Sequence, residues 1–79
     1  MTSLAAGHAR RVEFVVAEDD PDAWDVLAGI RAADSWQLCA LVPLGLLGVA
    51  HERLRGHRYE LQGWWVTDDK VAFGNVEIA

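Results

Sequence analysis

Two clusters of ionisable side chains are the first candidates for chemistry in this chain. Glu18, Asp19, Asp20, Asp22 and Asp25 put five carboxylates into eight residues. Charges this close repel one another, so water, a helix N-terminus, a cation or a basic partner must offset them. A calcium loop of the EF-hand kind needs oxygen ligands at alternate positions and a glycine for its sharp turn. Here Trp24 stands at the third ligand position and no glycine follows it. That leaves a solvated helix start, or a contact for a basic protein made by Glu18, Asp19, Asp22 and Asp25.

The second cluster is basic. His51-Glu52-Arg53-Leu54-Arg55-Gly56-His57-Arg58 carries three of the chain's seven Lys and Arg residues. It opens like the zinc-peptidase helix motif, in which two histidines four apart hold the metal, but Arg55 stands where the second histidine is required. His51 and His57 are six apart across an expected helix end and do not share a face. His8 lies in a weakly patterned tail. No glycine-rich phosphate loop is present, Ser3 and Ser35 have no base near them in sequence, and Cys39 sits in an apolar run that suits a buried thiol. A non-catalytic chain with no metal and no cofactor is therefore expected. The cations His51, Arg53, Arg55, His57 and Arg58 are either a solvated helix end, favoured there by the helix dipole, or a phosphate contact.

The elements that must hold these residues can be drawn from the pattern. Residues 1–9 are small and weakly patterned and are expected to fray. From Arg11 to Ala17 the chain alternates, with Val12, Phe14 and Val16 on one side and Glu13, Val15 and Ala17 on the other, which predicts a strand with a covered second side. Asp20-Pro21-Asp22 supplies an N-cap oxygen, a proline at the first helical position and a carboxylate in the first turn. A helix over 21–33 follows, with Ala23, Val26, Leu27, Ile30 and Ala33 as its inner stripe and Trp24 beside it. Residues 35–42 suit a short strand or a two-turn helix; the helix formers and Ser35 as a cap tilt the expectation toward helix. Pro43 opens a further helix, Leu44–Arg55, that Gly56 can stop in a left-handed conformation.

Arg58–Val66 and Val71–Ile78 flank Thr67-Asp68-Asp69-Lys70 as a hairpin. Pairing Val66 with Val71 puts Tyr59, Leu61, Trp65, Val76 and Ile78 on one face, with Gly63 opposite Gly74. The other face carries Trp64, Val66, Val71 and Phe73 near the turn. Either the rest of the domain covers those four, or they form an exposed patch for a partner. The glycine pair leaves a shallow gap beside them.

These elements add up to one small α+β domain over 1–79, in the order β-α-(short α or β)-α-β-β, with the C-terminal antiparallel hairpin packed on helices. Seventy-nine residues form a single small core. One cysteine rules out a disulfide framework, and a formal charge of −5 argues against a simple basic nucleic-acid binder. The longest uncharged stretch, Ser35–His51, is shorter than the roughly 18–20 apolar residues of a spanning helix, and the N-terminus lacks a signal-peptide pattern, so a cytoplasmic chain without a membrane partner is expected. The functional expectation is a small acidic regulator or inhibitor that binds another, basic protein, with a nucleic-acid-handling complex as the natural target. The alternative is a winged-helix-like DNA-binding regulator that uses helix 44–55 and the hairpin as its wing. A homodimer formed by strand addition at a hairpin edge is a further option.

Overall fold

The computed structural model describes residues 10–31 and 36–79. The expected fraying of 1–9, His8, Ser3, and the proposed Ser35 cap lie outside those residues. The chain runs β1 (Arg10–Val15), α1 (Pro21–Gly29), β2 (Trp36–Pro43), a single 3-10 turn (Leu44–Leu46), α2 (Leu47–Leu54), β3 (Tyr59–Thr67) and β4 (Lys70–Ile78). The strands form one sheet in the order β1-β2-β3-β4. The first three are parallel and β4 runs antiparallel to β3. This is the expected α+β fold.

One rule of chain geometry explains the layering. A crossover between parallel strands is right-handed, and both crossovers here step the same way along the sheet. Both helices therefore land on one side, where α1 and α2 also touch each other. The core lies between that side and the helices: Leu38, Ala40 and Val42 of β2 and Tyr59 and Leu61 of β3 meet Trp24 and Leu27 of α1 and Ala50 and Leu54 of α2. The phenol of Tyr59 donates to the Leu27 carbonyl at 2.6 Å, pinning α1 to the sheet centre. The opposite side of the sheet carries no element among the described residues.

The local signals work as expected at most element ends. The Asp20 carboxylate accepts from the Asp22 amide at 3.0 Å, with Pro21 opening α1. Gly56 has φ +82° directly after α2, a conformation other residues resist. The hairpin turns on Asp68 and Asp69, with φ +48° and +62°, the paired left-handed geometry of a tight two-residue turn.

Five expectations need correction. Residues 36–43 are a strand, not a helix, and they lie inside the sheet. α1 ends at Gly29, where Ile30 turns extended and its amide bonds Leu27. Within α1 the stripe is rotated: Trp24 is buried and Val26 is exposed. The second side of β1 is bare, leaving Val15 exposed, because nothing among the described residues packs there. Finally, the hairpin register holds from Val66↔Val71 through Trp64↔Phe73 but then shifts, so that Gln62 pairs with Val76, Leu61 with Glu77 and Glu60 with Ile78. One extra residue in β4, at Gly74-Asn75, forms a bulge opposite Gly63. Val76 and Ile78 thereby move from the core side to the bare side, and Glu77 moves to the helix side, where its Oε1 meets His51 Nε2 at 2.6 Å.

A candidate docking face on the open side of the sheet

Alternation along the strands fixes which side chains occupy the bare side. β1 contributes Arg11, Glu13 and Val15; β2 contributes Gln37, Cys39, Leu41 and Pro43; β3 contributes Glu60, Gln62, Trp64 and Val66. β4 contributes Val71, Phe73, Val76 and Ile78. Of the four aromatic and aliphatic residues expected to form an exposed patch, Val66, Val71 and Phe73 are exposed, and Trp64 is half-buried between its register partners Pro43 and Phe73. The Trp64 indole N–H is buried with no acceptor among the described residues. The bulge adds Val76 and Ile78, and β1 adds Val15; these three with Val66, Val71 and Phe73 keep between 46% and 72% of their surface open. An exposed apolar surface of this extent on a small domain marks an interaction site more often than not.

The polar residues of this face are tied to one another. Arg11 donates through Nε to Glu13 at 2.9 Å, through a second nitrogen to Glu60, and through a third to the Cys39 sulfur at 3.0 Å. Gln37 donates to the Leu38 and Arg58 carbonyls, each at 3.0 Å, and Gln62 donates to the Gly74 carbonyl at the bulge at 2.9 Å. Burial pushes the Cys39 thiol above its ordinary value, outweighing the opposing pull of the Arg11 cation. The thiol is thus a covered, protonated group, as its apolar setting in the sequence suggests.

The expected gap at Gly63 and Gly74 is filled by the chain itself. Gly63 faces the helix side, where a Cβ would come within 3.0 Å of Leu44 and Leu47, and the Trp65 ring lies against Gly74. Glycine is needed here because the 3-10 turn packs directly on the strand backbone.

The acidic run lies at the end of the sheet where the three parallel strands finish, beside the hairpin turn with Asp68 and Asp69. Two of its members have structural duties: Asp20 caps α1, and Asp19 accepts from the buried Trp24 indole at 2.7 Å. Glu18, Asp22 and Asp25 are exposed. A wide groove of about 620 Å³ runs beside β1 and α1, floored by Val16, Leu27 and Phe14, with Glu18, Asp20 and Asp22 around it. The basic candidates gather at the opposite end: Arg53 in the last turn of α2, then Arg55, His57 and Arg58, near Arg10 and Arg11 at the start of β1. Arg10 stacks on the Trp36 ring at 5.4 Å. His51 is engaged by Glu77, whereas Arg53, Arg55 and Arg58 have no ion-pair partner among the described residues. The hairpin belongs to the sheet up to Pro43↔Trp64, and only its last turn projects beyond β2. Sequence reading found the two charged ends but missed that parallel pairing would set them at opposite ends of one sheet.

Among the described residues no group of three or more His, Cys, Asp or Glu side chains is placed to hold a metal ion, and no helix is long and apolar enough to cross a membrane. No protein-family model, curated protein or solved structure matches this chain.

Proposed function

We propose that this chain is a small, non-catalytic protein-docking module of regulatory or inhibitory type. The bare side of its sheet, centred on Trp64, Val66, Val71 and Phe73, is the docking face. The single observation behind this reading is that face: an apolar surface with no covering element among the described residues, extended by Val76 and Ile78. The acidic end, with Glu18, Asp22 and Asp25, supports a steering role toward basic surfaces, because complementary charge raises encounter rates more than it raises affinity. Proteins that handle nucleic acid present such surfaces and are the natural target class.

A photo-crosslinking side chain placed at Val71 tests this in cells that make the full chain. Protein adducts are expected from position 71, and they should vanish when Phe73→Asp is added. The same probe at Glu52, on the exposed side of α2, should give none. Adducts from position 52 with none from 71 would overturn the reading.

A further inference from the structure

We infer that the partner seated on the open sheet face is a second copy of this chain, stacked face to face with its strands running antiparallel to the first. This rests on the open-face reading above and assigns that face to self-association, leaving the acidic end as the part that meets a basic protein. Three observations carry it.

The first is the state of the face's polar groups. Glu13 and Glu60 are held by Arg11, and Gln37 and Gln62 are bonded to backbone carbonyls. A partner that brought cations would find both carboxylates already engaged, and one that brought acceptors would find both glutamine amide N–H groups already donating. An apolar surface of the same kind covers groups so bonded at little cost, because buried polar groups are tolerated when they are bonded within their own chain.

The second is area. Val15, Val66, Val71, Phe73, Val76 and Ile78 keep 46–72% of their surface open and reach from one edge strand of the sheet to the other, a breadth suited to the roughly 800 Å² per partner that a standard stable interface buries. Among the described residues the sheet is one of two layers, with a shortest extent of 16 Å, and two sheets stack about 10 Å apart. A pair would form a four-layer sandwich with the helices outside.

The third is charge. Asp68, Asp69 and the acidic run lie at one end of the strands, and Arg10, Arg55 and Arg58 at the other. A two-fold axis perpendicular to the strands sets the acidic end of each copy over the basic end of its mate. The alternative axis, along the strands, would set like charges together. An isologous two-fold contact is also the commonest form of homo-oligomer.

Sedimentation equilibrium of the full chain should give twice the 8.7 kDa chain mass at tens of micromolar. Phe73→Asp and, separately, Val71→Lys should each weaken the pair by at least about 30-fold, the loss expected of a central contact. Both variants should keep the wild-type far-UV circular dichroism and a cooperative melt. In a mixed sample, a nitroxide on Lys70→Cys in a Cys39→Ser chain should broaden the amide signals of Tyr59 and Glu60 in an isotope-labelled copy. Broadening confined to Val66–Val71 of the labelled copy would overturn the antiparallel arrangement. A monomer at all concentrations, or a dimer indifferent to both substitutions, would overturn the proposal. Crosslinks from position 71 to other proteins would in that case keep the docking reading alive, whereas their absence would end both.

Discussion

The two sides of the sheet are built from similar residues and have opposite fates. On the helix side, Leu38, Val42, Tyr59 and Leu61 are buried under Trp24, Leu27, Ala50 and Leu54. On the other side, Val15, Val66, Val71, Phe73 and Ile78 meet no covering element among the described residues. Hydrophobicity does not separate the two sets. What separates them is the direction of the chain: two right-handed crossovers that step the same way deliver both helices to one side. Apart from Cys39, whose small thiol is covered by its neighbours in the sheet, the buried apolar residues among those described fall on the side the crossovers cover.

The sharpest way to break this comparison is to truncate matched residues on the two sides. Leu54→Ala empties a fully buried site and should lower unfolding stability by about 2–5 kcal/mol, a large part of the total for a domain this small. Val66→Ala, on the bare side, should change it by less than about 0.5 kcal/mol in denaturant titrations extrapolated to infinite dilution. Equal losses would mean that the bare side is packed after all.

A second contrast concerns Tyr59 and Cys39, buried groups on opposite sides. Tyr59→Phe removes one of the two donors to the Leu27 carbonyl, which keeps the Ile30 amide, and should cost about 0.5–1.5 kcal/mol. Burial raises both the phenol and the thiol above their ordinary values. The folded chain therefore holds protons that the unfolded chain has released, and linkage makes stability fall as pH rises. The loss should begin near the ordinary thiol value of about 8.5 and steepen near the phenol value of about 10. In pH-dependent denaturation, Cys39→Ala should remove the first part and Tyr59→Phe the second.

The smallest effect tests the hairpin tip, where both sides meet. Asp69 occupies a left-handed conformation that glycine adopts without strain. Asp69→Gly should raise the thermal midpoint, by about 0.5–1 kcal/mol of stability.

Much of this architecture was legible in the residues. The Asp20-Pro21 helix start, the Gly56 stop, the alternation of β1 and the pairing from Trp64 to Phe73 each rest on one local rule, and each is found. The candidate face was legible for the same reason, since Trp64, Val66, Val71 and Phe73 lie close to the turn that sets their register. β2 was not, because Leu38, Ala40 and Val42 face the helices while Cys39, Leu41 and Pro43 face away, and residues of similar polarity on both sides erase the period of two. The rotation of α1 was hidden as well. Trp24 gains burial by donating its indole N–H to Asp19, a contact that apolar spacing does not encode. The far half of the hairpin escaped because no residue type announces a bulge with certainty, although Gly74-Asn75 is a permissive pair for one.

That bulge also marks where the gene can shorten β4 without turning the strand over. Deleting the single codon for Asn75 would straighten the ribbon, yet Val76 would still stand opposite Gln62, Glu77 opposite Leu61 and Ile78 opposite Glu60. The greasy surface and the Glu77–His51 contact would both outlast the loss of three nucleotides. Chains one residue shorter at this spot would therefore present the same plate.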